Sequence, residues 1–244
     1  MGDVIAMRAN RILRRASHSE AATARARLRW VVAALTLLSS GFATAEPVVS
    51  AREGNVYIST DGVEKQLTTS GRDSSPLLAP DGKWIVFVRA IDGKPIPSGS
   101  DDDGQPAELW QIRVDGKEPT RLVRTRPAEK PENIIAGFEN LQFSADGRLV
   151  YFVTPAWTTS GAVHVVDTTN GKERYLLPGN DLEVIHSGEY RDHLLVSQHR
   201  YFIGGGSYDW FYLFTPQGKE VGPVGEDTEN FKSVYLSDAS PPNR

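Results

Sequence analysis

Three groups of residues carry types and spacings that could do chemistry. Asp101-Asp102-Asp103-Gly104 gathers carboxylates in the way a hard cation requires. In an EF-hand loop the glycine falls later and the last position is Glu, whereas here that position is Ile112. A solvated acidic loop accounts for the run. His164, His186, His193 and His199 hold no i, i+4 pair or other familiar ligand spacing. His164 alternates with Val163 and Val165, so it is expected to be a strand residue with a satisfied hydrogen bond. Gly205-Gly206-Ser207-Tyr208-Asp209 approaches the Gly-x-Ser-x-Gly nucleophile elbow, but the last glycine is missing and no strand–turn–helix pattern surrounds it. An inter-strand loop is expected there. The chain has no cysteine, which excludes disulfides, a thiol nucleophile, Cys-based zinc sites and a lipid-bearing Cys. No catalytic residue, metal or cofactor is expected.

The elements that would position such groups are strands in a repeat. Ser75-Pro76-Leu77-Leu78-Ala79-Pro80-Asp81-Gly82-Lys83-Trp84-Ile85-Val86-Phe87-Val88 is matched by Asn140-Leu141-Gln142-Phe143-Ser144-Ala145-Asp146-Gly147-Arg148-Leu149-Val150-Tyr151-Phe152-Val153. Each reads as a short strand, an Asp-Gly turn, one basic residue and an apolar strand. In the first copy Pro80 presets φ, Asp81 can bond nearby backbone and Gly82 can take positive φ. Further hairpins are expected at Asp61-Gly62, Asp115-Gly116 and Asn170-Gly171, where Asx-Gly lies between strand-like runs. The strand Trp84–Val88 is apolar on both faces, as an inner strand packed between neighbouring sheets must be. A third unit, 182–224, lacks the Asp-Gly turn, so Gly188 or Arg191-Asp192 must bend the chain. No convincing amphipathic helix follows the first 45 residues.

Four strands per unit at a spacing of about 40–50 residues is the grammar of an all-β propeller of four-stranded antiparallel blades. Three units are complete. The N-terminal strands Val48–Ala51, 55–60 and 64–68 are expected to combine with a C-terminal strand, 231–238, into a fourth blade that closes the ring and removes its open edges. An open arc or another all-β fold are the alternatives. The Asp-Gly tips should lie on one side. The longer loops, 89–108, 124–136, 154–161 and 201–209, should lie on the other, where binding usually resides. The expected binding face carries Arg89, Asp101, Asp102, Asp103, Arg124, Arg126, Lys130, Trp157, Tyr201 and Tyr208.

Seven Arg residues within the first 29 positions precede the apolar run 30–38 and Ala43-Thr44-Ala45. This is the grammar of a secretory signal peptide, cleaved after Ala45, and the run is too short to span a bilayer. The division expected is therefore 1–45 signal peptide, 46–238 propeller and 239–244 disordered tail, with the mature protein periplasmic or secreted. The chain holds 27 basic and 31 acidic residues, and its first 45 hold seven and two, which leaves 20 and 29 in the remainder. A domain near −9 repels phosphate backbones, so nucleic acid is not an expected partner.

The Leu67-Thr68 ending, the Ala79-Pro80-Asp81-Gly82 turn and the apolar strand after it resemble the WD-like propeller repeat of TolB-type periplasmic proteins. The same repeat occurs in propeller domains of prolyl-oligopeptidase-like enzymes. The resemblance implies a non-catalytic module for protein–protein contact in the bacterial envelope. A propeller enzyme or hydrolase fragment, lactonase-like or peptidase-associated, is the alternative, and a glycan-binding propeller using Trp157 and Tyr208 is another.

Overall fold

A computed structural model describes residues 46–100 and 103–236 of the chain. The expected leader, Asp101, Asp102 and the tail after residue 236 lie outside the described residues. Fifteen strands form four antiparallel sheets in chain order. The first holds β1 (Val48–Arg52), β2 (Asn55–Thr60) and β3 (Val63–Gln66). The second holds β4 (Asp73–Leu78), β5 (Trp84–Ala90), β6 (Ala107–Arg113) and β7 (Thr120–Arg124). The third holds β8 (Glu139–Phe143), β9 (Leu149–Pro155), β10 (Gly161–Asp167) and β11 (Glu173–Pro178). The fourth holds β12 (Asp181–Val184), β13 (Leu194–Tyr201), β14 (Ser207–Phe214) and β15 (Glu220–Gly225). Each sheet is a simple up-and-down meander.

The sheets pack face to face in sequence, which is the blade arrangement of a β-propeller. Val56 and Ile58 of β2 meet Ile85 and Phe87 of β5 across the first seam. Val86 and Leu109 meet Phe143, Val150 and Phe152 across the second. Tyr151, Val153 and Val165 meet Leu194, Val196, Tyr212 and Phe214 across the third. Successive side chains of a strand point to opposite faces, so Val86 serves one seam while its neighbours Ile85 and Phe87 serve another. Burying one such side chain is worth about 1.5–3 kcal/mol, so a strand apolar on both faces is stable only when covered on both.

The turns form as their residues dictate. Oδ1 of Asp81, Asp115, Asp146 and Asn170 each accepts the backbone N–H two residues on, at 2.8–3.0 Å. Gly82 and Gly147 sit at φ 66° and 73°, a region that disfavours any Cβ. In the third repeat unit both expected bends occur: Gly188 and Asp192 have φ 77° and 65°. The Asp192 carboxylate accepts the Ala145 N–H at 2.7 Å, a donor that Pro80 lacks at the matching position of the first copy.

The C-terminal expectation is corrected. Residues Glu229–Tyr235 form a helix, α1, and not a closing strand. The first sheet therefore has three strands, and among the described residues no core cluster joins it to the fourth sheet. Phe231 and Tyr235 share a face at spacing four in a helix, and they would also share one in a strand, so the apolar pattern cannot separate the two. What decides is the uncovered face of the fourth sheet. Phe231 and Leu236 pack with Tyr190 over Ile185, Leu195 and Leu213, and Lys232 pairs with Glu183 of β12 at 2.5 Å. At the other end the outer face of the first sheet is polar: Arg52 pairs with Glu64 at 2.8 Å and lies 4.3 Å over the Tyr57 ring. Polar outer faces are how stacked repeats end. No helix among the described residues is long and apolar enough to cross a membrane.

The Tyr151 hydroxyl is buried in the third seam without a hydrogen-bond partner, and burial pushes its phenol up to about 12. An unsatisfied buried hydroxyl costs free energy that phenylalanine does not. Tyr151→Phe is expected to raise stability by about 1 kcal/mol, read as a higher denaturation midpoint. A lowered midpoint would show that the hydroxyl has a partner in solution.

Candidate functional site

In the second, third and fourth sheets the meander puts the first and last hairpin tips on one side and the connections 91–106, 156–160 and 202–206 on the other, together with the segments between sheets. The longest of these loops, 91–106, does not hang free. Ile96 and Gly104 exchange backbone bonds at 2.8 and 2.9 Å, and Ile96 is buried against Ile134 and Ala136. A Cβ at Gly104 would lie 1.9 Å from the Ala136 carbonyl oxygen, so only glycine fits. Gly99 donates to the Ala156 carbonyl at 3.0 Å, and Thr158 Oγ1 donates to the Gly99 carbonyl at 3.0 Å. The loop thus crosses from the second sheet onto the third.

Beneath it lies a cleft of about 520 Å³ that includes Ser74, Val88, Asp103, Phe138 and Glu139. It adjoins a smaller hollow of about 290 Å³ bounded by Trp157, Thr159 and Asn180, with Ser100, Glu139 and Pro155 common to both. Asn140, beside the cleft, has φ 44° where β8 bulges, and its amide donates to the Asp181 carboxylate and to the Leu182 carbonyl at 2.6 Å. This side chain ties the innermost strands of the third and fourth sheets. The Asn180 carbonyl oxygen accepts from Gly161 N–H at 2.8 Å and its amide donates to the Thr159 carbonyl at 3.1 Å. The cleft walls are therefore fixed by side chain–backbone bonds.

The structure distributes the expected binding residues between scaffold and surface. Arg89 belongs to the scaffold: its Nε and NH2 donate to the Asp73 carboxylate at 2.6 and 2.9 Å, and its guanidinium lies 5.0 Å over Trp110. Asp73, Arg89, Glu108 and Arg124 form one registered row across the second sheet. Arg126 donates to Glu173 Oε2 at 2.6 Å, while Oε1 of the same carboxylate meets Nδ1 of the buried His164 at 2.5 Å. The other His164 ring nitrogen, Nε2, is buried without a partner. Arg124 and Lys130 are exposed, and Asp103 lines the large cleft. Trp157 borders the hollow with its ring edge-on to Tyr175. Tyr208 shares a hydroxyl contact with Tyr212 at 3.1 Å and packs on Phe202 and Trp210. Tyr201 is exposed, and its hydroxyl lies 3.4 Å from Thr159 Oγ1, which joins the 202–206 hairpin to the hollow. Ser207 opens β14 in that hairpin, so it leads into a strand and not into the helix of a nucleophile elbow. His199 pairs with Asp209 at 2.9 Å across β13 and β14.

Two features are missing from the sequence reading. Phe202 and Ile203 are exposed beside Tyr201 at the hairpin tip; the signal was an apolar trio running straight into Gly204-Gly205-Gly206. Glu139 and Asn180 also border the site, and nothing in their local sequence marks them.

No family model and no curated protein matches the chain. Solved structures with similar backbones include dipeptidyl peptidase 4 of Porphyromonas gingivalis, at 13% identity and TM-score 0.47 over 75% of this chain and 31% of that one. The propeller domain of the trilobed protease of Pyrococcus furiosus aligns at 15% and 0.46, over 72% of this chain and 52% of that one. TolB of Acinetobacter baumannii aligns at 14% and 0.32, over 71% and 49%. The chain thus spans about a third to a half of these proteins.

Burial pushes the Asp73 carboxyl up, but the Arg89 guanidinium and the Thr68 and Ser70 hydroxyls outweigh it and hold the group below the usual aspartate range. A depressed carboxyl contributes stability fully above its unfolded pKa of about 3.9 and loses it as pH falls through the folded value. Asp73→Asn is expected to cost about 3 kcal/mol at pH 7, since it strands a partly buried guanidinium, and to flatten the loss of stability below about pH 4. Equal midpoints at pH 7, or an unchanged acid limb, would remove Asp73 from the scaffold.

Proposed function

We propose that the chain is an exported, non-catalytic propeller module that holds a protein partner in the bacterial envelope through its loop side. The observation that carries this reading is the hairpin tip, where Tyr201, Phe202 and Ile203 are 67%, 56% and 110% exposed. Consecutive large apolar side chains left in water at a fixed position mark a contact site. The tip has backing, because the Phe202 ring lies tilted against Tyr208 at 4.5 Å and Tyr208 meets Trp210 edge-on at 5.3 Å. Rigid aromatic anchors of this kind supply most of the energy in protein interfaces. Beside them the cleft offers Asp103 and Glu139 as polar contacts that set orientation. The Arg-rich start, apolar run and Ala-x-Ala site support export, with a mature chain beginning at Glu46.

A second reading has its own observation. Two carboxylates, Asp103 and Glu139, line the cleft, with Asn180 and Trp157 in the adjoining hollow. That is also the chemistry of a sugar site or of a carboxylate-dependent propeller enzyme. A metal scan with an esterase and lactonase panel, and a glycan array, address it directly: metal-dependent turnover or saturable glycan binding abolished by Glu139→Gln would replace the protein-contact reading.

The protein-contact reading is tested in cells by a photo-crosslinking residue placed at Ile203 or, as a control, at Lys117 on the tip side. A discrete adduct from position 203 alone is expected, lost when Phe202→Ser is added while the thermal midpoint stays unchanged. Equal adducts from both positions, or none from 203, would contradict it.

A further inference from the structure

Three of the sheets have four strands and the first has three. Register identifies the strand that it lacks. The turn from β1 to β2 lies beside the start of β4, where the Asp73 N–H donates to the Gly54 carbonyl at 2.7 Å. β2 and β3 then join at Asp61-Gly62, as β6 and β7 join at Asp115-Gly116. β1 therefore holds the place of β5, and the vacant place is the innermost. Arg52 ends β1 opposite Asn55, as Arg89 stands opposite Glu108, and both arginines lie on the face turned away from the following sheet. In the second sheet the innermost strand sets Asp73 against Arg89. In the first sheet nothing occupies that place, because α1 is held on the fourth sheet by Phe231, Leu236 and Lys232.

The edge left open on β1 is fit for pairing. The Val56 N–H donates to Thr68 Oγ1 and its carbonyl accepts from Leu67 N–H, so the backbone of Val56 is turned toward β3. Ala51 stands opposite Val56, so its own N–H and C=O point away from β2, and those of Val49 follow by alternation. No other described residue bonds them. Every other edge strand is blunted. β3 carries Glu64 and Lys65. β7 and β8 are bulged, β4 and β11 pair a register shift with Pro76 and Pro178, and β15 does so with Pro223. The edge of β12 is covered where Asn140 donates to the Leu182 carbonyl. β1, Val-Val-Ser-Ala-Arg, is regular, and Val48, Ala51 and Arg52 are exposed.

We propose that this edge takes up an extended strand of a partner protein, antiparallel to β1, with a carboxylate opposite Arg52 and apolar side chains opposite Ala51 and Val49. Each complete sheet opens its innermost strand on a carboxylate, namely Asp73, Glu139 or Asp181. Arg52 now rests on Glu64 in an exposed pair, which exchanges partners at little cost. Val49 and Ala51 share the face of Val56 and Ile58, so side chains opposite them extend the first seam toward Leu78. Backbone pairing supplies affinity and the alternate side chains supply selection. The edge lies apart from the 202–206 hairpin and does not depend on the function proposed there.

The test is fluorescence anisotropy on the full mature chain with a labelled Asp-Leu-Thr-Val-Thr peptide, its Lys-for-Asp counterpart and two N-methylated forms. Methyl groups on the Leu and Val nitrogens remove the N–H groups that face β1, and are expected to abolish binding. Methyl groups on the two Thr nitrogens face outward and are expected to spare it. Ala51→Pro removes one edge N–H while leaving the ladder to β2 intact, and should lower affinity about tenfold at an unchanged thermal midpoint. Arg52→Glu should weaken the Asp peptide about tenfold and strengthen the Lys counterpart, a reversal that a loss of structure would not give. Phe202→Ser should change neither, which separates this edge from the loop-side reading. Absence of binding, equal binding of the two N-methylated forms, or affinity unchanged in either β1 variant would overturn the proposal. So would a dimer of the chain that excludes the peptide and dissociates in Ala51→Pro, since the edge would then serve a second copy.

Discussion

Strands that are apolar on both faces impose the main constraint on this chain. In β5 and β9 the residues Ile85, Val86 and Phe87, and Val150 through Val153, are all buried, so each strand needs a neighbour on either side. One sheet cannot satisfy that alone, and two sheets leave two outer faces bare. Stacking sheets in sequence satisfies the inner ones and passes the problem to the ends. The chain solves the two ends differently, with a polar Arg52–Glu64–Tyr57 face at the first sheet and the helix α1 over Leu195 and Leu213 at the last.

Polar groups then fix how the sheets sit against each other. Lys65 donates to the Asp115 carbonyl across the first seam at 2.7 Å, Gln111 to the Thr168 carbonyl across the second at 3.1 Å, and Gln198 to the Pro178 carbonyl across the third at 2.5 Å. Buried carboxylates add a second layer, as Asp73 orders Arg89 and Glu173 orders Arg126 and His164. Arginines in this fold accordingly divide by partner. Those whose forks are filled from within serve the scaffold, and those left with outward donors are the ones available for binding.

The hairpins were legible in the sequence because turn chemistry is local: Asp or Asn followed by Gly needs nothing distant to set the bend. Strand order within each sheet followed from that, as did the separation of tips from long loops. The C-terminal helix was not legible, because Phe231 and Tyr235 lie on one face under either period and the decision rests with Leu195 and Leu213, far away in sequence. Arg89 looked like a surface charge for the same reason: its partner Asp73 lies across a strand pair, and no local pattern announces it. The site's walls depend on Gly99 and Gly104, whose role appears only where the loop meets Ala156 and Ala136. The exposure of Phe202 and Ile203 was not legible either, because three apolar residues before a glycine run read equally well as the end of a buried strand.

The central claim is that the seams make successive sheets one cooperative structure on which the binding surfaces are held. Native-state hydrogen exchange with increasing denaturant tests it most directly. If the claim is right, the slowest amides of β5, β9 and β13, which lie in three different sheets, converge on one free energy equal to that of global unfolding. Separate, lower opening energies for β5 or β13 while β9 stays protected would mean that the sheets act independently, and the claim would fail.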